Sequence, residues 1–172
     1  TLVTCAAIAE AIWIALAEAI PAQVQSGWGR RCAPMTAGKN PRTGRAFVCT
    51  HHNCKGGSGA TEGYDGWNHT GPVSNMGGSR ATDPEIFELA YPYRLSQYEF
   101  AEDTAGAGKW RGGVGAVLRW RIETPEVQCV TVGSGMLEET RSFGLFGGKP
   151  GSFPIMRLIS PEGEAREIGV NR

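Results

Sequence analysis

Cys49, His51, His52 and Cys54 place four soft donors within six residues. Thiolate and imidazole are the ligands Zn2+ favours. In an extended segment Cys49 and His51 point one way, His52 and Cys54 the other. A tetrahedral site normally draws its ligands from two separated knuckles, and no second Cys/His pair follows. Two readings stand: structural side chains, or a metal or acid–base role for His51 and His52. A second set, Asp65, Asn68, His69 and Asn75, lies in a glycine-rich stretch, where loop-held polar groups often meet substrate. His69 titrates near neutral pH and is a candidate general acid or base, with Asp65 beside it as a second catalytic candidate and Asn75 as a substrate contact.

Positive charge gathers in two places. Arg30, Arg31, Lys39, Arg42, Arg45 and Lys55 occur with no acid between residues 30 and 55, which reads as a solvated loop or as an anion or partner site. Lys109 and Arg111 flank Trp110 just after Gly106-Ala107-Gly108, and arginine suits bidentate contact with phosphate or carboxylate. A β-turn and strand start with Trp110 in the core is the simpler reading of that triplet. A phosphate loop is excluded. Trp110 stands where a Ser or Thr must hold magnesium, Asp103 stands where the first glycine belongs, and Lys55 precedes its glycines. No clear helix follows either loop to face a phosphate, and no βαβ unit supports a dinucleotide fingerprint.

These residues sit in a chain of 172, enough for one core. Hydrophobic residues make up 41% and charged residues 20%, which excludes disorder for want of apolar content. Seventeen acids balance seventeen bases, so overall charge does not point to nucleic acid or a membrane surface. Five unevenly spaced cysteines argue against a secreted disulfide framework and for free thiols in the cytoplasm. The Asn68-His69-Thr70 sequon carries no weight there. The 25 glycines are roughly twice usual usage and come in clusters without a collagen period. Both ends interrupt patterned sequence, so the chain is expected to be a fragment of a longer protein.

Ile8, Ile12, Leu16 and Ile20 recur every four residues among alanines, which predicts a helix over residues 1–20, ended by Pro21, with the isoleucines and Trp13 in the core. Glu10 and Glu18 argue against a membrane span. Residues 21–45 read as a connection, 45–50 as a strand and 51–80 as a long glycine-rich loop region. Residues 86–90 and 93–100 read as strands split by Pro92. Residues 114–122 alternate, with Val114, Ala116, Leu118, Trp120 and Ile122 on one face and Arg119 and Arg121 on the other. Residues 127–132 return, and 155–160 with 164–170 flank a Pro161-Glu162-Gly163 turn. The sum is α+β: an N-terminal helix, then a mainly antiparallel β region with long glycine-rich loops.

Several blocks, in order and spacing, resemble the hydantoinase B/oxoprolinase family. They are Gly56-Gly57-Ser58-Gly59-Ala60, Asp65-Gly66, Asp83-Pro84-Glu85-Ile86-Phe87-Glu88 and Tyr91-Pro92-Tyr93-Arg94. The longest runs from Asp103 to Gly115, and Phe143-Gly144-Leu145-Phe146-Gly147-Gly148-Lys149-Pro150-Gly151 closes the match. The helix ending in Pro21 looks like the one upstream of this region in the family. The resemblance implies that residues 1–172 are one region, the C-terminal part of a hydantoinase B subunit. It implies a partner, a hydantoinase A-type subunit or domain resembling actin-like ATPases, which binds ATP and Mg2+ and phosphorylates a small-molecule substrate. The B-type half then completes the reaction: hydrolytic ring opening of a cyclic amide such as 5-oxoproline or a hydantoin, or carboxylation of a ketone such as acetone. A divalent metal, Zn or Mn, is implied, held mainly by residues outside this chain. The run Trp67 to Ser79 departs from the usual hydantoinase form and looks closer to carboxylase-like relatives, which leaves the substrate open. A third reading makes this region an assembly module, with all chemistry elsewhere.

Overall fold

A computed structural model describes residues 2–30, 32–51, 53–75 and 80–168. His52, Arg31, the Met76–Ser79 part of the divergent run and the end of the last expected strand lie outside them. Helix α1 (Leu2–Leu16) is followed by strands β1 (Cys32–Lys39) and β2 (Ala46–Thr50), helix α2 (Pro84–Ala90), and strands β3 (Tyr93–Phe100), β4 (Ala116–Ile122) and β5 (Val127–Gly133). Strands β6 (Arg157–Ile159) and β7 (Ala165–Glu167) close the order. The strands form three antiparallel sheets, ordered β2-β1-β5, β3-β4 and β6-β7. The fold is α+β.

Two elements correct the sequence reading. The 21–45 connection contains β1, the central strand of the larger sheet. Pro34 and Gly38 obscured it, since neither favours a strand interior. Residues 86–90 are helical. Asp83 caps α2 by accepting the Glu85 and Ile86 amides at 2.9 and 3.2 Å, with Pro84 in the first turn. That local signal outweighs the apolar, strand-like content.

Helix α1 is also turned the other way. Ile8 and Ile12 are 56% and 51% exposed, while Glu10 is buried at 4%. The Glu10 carboxylate accepts the Trp28 amide at 3.0 Å through Oε1 and pairs with the Arg30 guanidinium through Oε2. Arg30 in turn donates to the carbonyls of Thr140 and Arg141 at 2.7 and 3.0 Å. An apolar helix has few polar residues to mark an outward face, and here the buried ion pair sets the orientation. The chain exposes 11024 Å², against about 8,200 Å² for a compact monomer of its mass. Its apolar core is correspondingly small: Phe47, Cys49, Phe87 and Tyr93, with Tyr91, Trp120 and Val127 against them.

Candidate functional site

The glycine blocks are sites of backbone-on-backbone packing. A Cβ on Gly57 would lie 2.2 Å from the Gly113 carbonyl carbon, and one on Gly113 would lie 2.0 Å from the Trp67 carbonyl oxygen. Only hydrogen fits at such approaches. Main-chain bonds tie the loops together: Gly29 N–H donates to Gly57 O at 2.8 Å, Gly113 N–H to Ser58 O at 2.9 Å, Ser58 N–H to Trp67 O at 2.8 Å, and Lys149 N–H to Ala107 O at 2.7 Å. Backbone groups removed from water must find such partners.

This packing aligns residues 65–69 along residues 111–114. Asp65 Oδ1 accepts the Arg111 amide at 2.7 Å, and Gly66 N–H returns a bond to Arg111 O at 2.7 Å. Asn68 Oδ1 accepts the Val114 amide at 3.0 Å, and His69 N–H donates to Val114 O at 2.9 Å. Asp65 and Arg111 are thus brought together through the Arg111 main chain, and the Asp65 carboxylate holds a loop edge.

His69 sits at the end of this ladder with φ 54°, a left-handed conformation uncommon outside glycine. Its half-buried ring meets Tyr98 edge-on at 5.4 Å and Phe100 at 6.4 Å. Nε2 lies 3.0 Å from the Asn53 carbonyl oxygen and 3.1 Å from the Tyr98 hydroxyl. Asn53 is itself fixed by a reciprocal pair: its Oδ1 accepts the Thr82 amide at 2.9 Å and its Nδ2 donates to Thr82 O at 3.2 Å. Burial lowers the His69 pKa, the hydrogen bond to Asn53 O opposes that shift, and the nearby Lys55 charge adds to the lowering. Lys55 is only 7% exposed, and loss of solvation lowers its own pKa.

A bulge at Ser96 aims Tyr98. The register of β3 against β4 shifts between Leu95 and Gln97. Tyr93 and Leu95 pair with Ile122 and Trp120, and Tyr98 and Phe100 pair with Leu118 and Ala116. The extra residue reverses the odd–even parity, so all four β3 residues share the apolar face of β4. Sequence reasoning missed Tyr98, whose odd–even position in a regular strand would have turned it away from Tyr93.

The other candidates fall elsewhere. His51 is buried among Phe87, Tyr93 and Trp120, with ring centroids 4.9–5.9 Å apart. Its Nε2 lies 3.2 Å from Thr36 Oγ1, which accepts the Tyr93 hydroxyl at 2.7 Å. Among the described residues no group of three or more His, Cys, Asp or Glu is arranged to hold a metal ion. Asn75 is exposed at the end of the Val73–Asn75 3-10 turn, which packs on α1. Lys109 Nζ stands 4.4 Å from the Trp110 ring centroid, a cation–π contact. An open cleft of 2720 Å³ includes Thr36, His51, Lys55, Lys109, Gly113 and Cys129 in its lining. Its thiols are poor nucleophiles: burial pushes Cys54 up to about 11, with Cys32 adding to the rise.

The hydantoinase B/oxoprolinase family model matches residues 1–169. The chain belongs to the hydantoinase B/oxoprolinase family. It is similar to caprolactamase subunit beta of Pseudomonas jessenii, 31% identical over 144 residues that cover 83% of this chain and 24% of that subunit. Among solved structures, the ATP-dependent caprolactamase of Pseudomonas jessenii superimposes with a TM-score of 0.69 at 27% identity, over 90% of this chain and 28% of that one. Acetone carboxylase in its nucleotide-free form gives 0.64 at 25% identity, over 74% and 16%. The chain thus spans about a quarter of the caprolactamase relatives it matches. Among the described residues no helix is long and apolar enough to cross a membrane.

Proposed function

We propose that this chain is part of the B-type subunit of an ATP-dependent cyclic amidase that opens a phosphate-activated lactam or related ring with water. The observation that carries this reading is the match to caprolactamase, which joins 31% sequence identity over 83% of the chain to structural superposition over 90% of it. A ring amide is a poor electrophile, and phosphorylation of its oxygen supplies a leaving group. The partner is a hydantoinase A-type ATPase subunit or domain in the cytoplasm, which holds ATP and Mg2+. Any divalent metal, Zn or Mn, is held mainly by residues outside this chain. On this chain the 65–69 and 111–114 ladder supplies the wall of the reaction site, with His69 in an acid–base role. Lys109 and Arg111 supply positive charge and Asn75 a polar contact for the anionic substrate.

The similarity to acetone carboxylase supports a second reading, in which the activated species is a ketone enol and the acceptor is bicarbonate-derived carbon. The test is ATP-dependent consumption of caprolactam, 5-oxoproline and hydantoin, and of acetone with bicarbonate, by the complete B subunit with its ATPase partner. The amidase reading predicts loss of at least one cyclic amide without bicarbonate. Consumption of acetone alone, and only with bicarbonate, would establish the second reading instead.

A further inference from the structure

We propose that His69 is the proton-accepting residue of this site through Nδ1, that the Asn53 carbonyl fixes its tautomer, and that Tyr98 is a positioning residue that holds the ring from the Nε2 side. This rests on the amidase reading for the identity of the substrate and on geometry for the rest. The Asn53 carbonyl can only accept a hydrogen bond, and it faces Nε2 at 3.0 Å. Nε2 must therefore carry the proton in the bonded form. The Tyr98 hydroxyl, 3.1 Å from the same nitrogen, then accepts a share of that N–H. In the other tautomer two lone pairs would face each other at the Asn53 contact. Fixing the proton on Nε2 leaves the lone pair on Nδ1, which has no hydrogen-bond partner among the described residues. A ring nitrogen pinned to a carbonyl while its opposite nitrogen stays basic is the usual way a protein orients a histidine base.

Three further observations converge on this ring. Its backbone is held at φ 54° by the bond to Val114 O, and such a conformation persists in a non-glycine residue only where its surroundings impose it. Asn53 is itself locked by Thr82. The Ser96 bulge brings Tyr98 to this face when regular alternation would not.

In ring opening, the oxygen of the attacking water bonds to the phosphate-activated carbon. Its two protons pass by way of Nδ1 to the ring nitrogen. That nitrogen departs as an amine with the electron pair of the broken C–N bond, and His69 ends neutral as it began. The phosphate stays on the new acyl group until a second water attacks the same carbon, which breaks the C–O bond, releases inorganic phosphate carrying the substrate's own oxygen, and passes the water's proton to solvent.

Glycine at position 69 suits the observed φ and removes the imidazole, so His69→Gly is the variant of choice. It is assayed in the complete complex, on whichever substrate the wild type consumes, which keeps failure of this inference distinct from failure of the amidase reading. The expected result is a fall of about 10²-fold or more in kcat/KM, partly restored by added imidazole, with assembly and melting temperature retained. Tyr98→Phe keeps the ring contact and is expected to shift the acid limb of the kcat/KM profile. Activity of His69→Gly within about threefold of wild type would overturn the proposal, as would a loss that imidazole does not restore in an assembled complex. An unchanged pH profile in Tyr98→Phe would overturn the role of Tyr98.

Discussion

Gly29 and Gly56 pack main chain against main chain, so closely that a Cβ built on either would lie 2.5 Å from the other's Cα. No side-chain rearrangement relieves a clash between two backbones. Gly56→Ala is therefore expected to cost on the order of 1–3 kcal/mol, the range of overpacked sites. Gly112→Ala, whose new methyl would meet nothing nearer than 3.4 Å, is expected to cost less than about 1 kcal/mol. Urea melts of the two variants check the difference.

Glu10 and Arg30 hold α1, the Trp28 segment and the 140–141 carbonyls together from within, with side chains 5% and 16% exposed. Glu10→Ala would leave the Arg30 charge buried without its partner, and removing one member of a buried pair costs roughly 3–5 kcal/mol. Glu10→Gln keeps an acceptor for the Trp28 amide and is expected to lose less. Denaturant midpoints order the pair.

Ser96 is the one residue of β3 left without a partner on β4, so deleting it closes the ladder in the same register and keeps Tyr98 opposite Leu118 and Phe100 opposite Ala116. The half-buried Tyr98 ring should then react with tetranitromethane at about the wild-type rate. Faster nitration of Tyr98 in the deletion variant would show that its place on the apolar face depends on more than the offset of one residue.

The lowered His69 pKa makes stability depend on acidity. Burial, the largest cause, favours the neutral ring in the folded state, so the unfolded chain takes up the proton first as pH falls below the ordinary 6.5. Stability from this group is complete above that value and is lost across the window between it and the lowered folded value. His69→Gln is expected to flatten that part of the acid limb. Urea midpoints between pH 4.5 and 7.5 (a range of about three units around the imidazole titration) measure it.

The β region was legible where one face carries the signal. Residues 116–121 alternate as expected, with Leu118 and Trp120 half-buried and Arg119 and Arg121 exposed, while Ile122, expected on the buried face, is 42% exposed. The β6–β7 hairpin follows its Pro161-Glu162-Gly163 turn. The central strand was hidden by Pro34 and Gly38, and α2 by its strand-like composition. Periodicity found α1 and could not orient it, because spacing in sequence does not reveal which neighbour a face will meet. The glycine blocks marked where loops converge, yet which backbone meets which depends on tertiary contacts far apart in sequence. His69 was visible as a titratable group on a loop. Its partners were not: Asn53 contributes a carbonyl, which every residue possesses, and Tyr98 arrives by a register shift.

The proposed chemistry assigns the substrate's own oxygen to phosphate, and isotope transfer follows that atom. A lactam labelled with 18O at its carbonyl is incubated with ATP and the complete complex, and the inorganic phosphate is analysed by mass spectrometry. Phosphate activation followed by water attack at carbon predicts labelled phosphate formed in step with ring opening. Ring opening that leaves all of the label in the product carboxylate would contradict it.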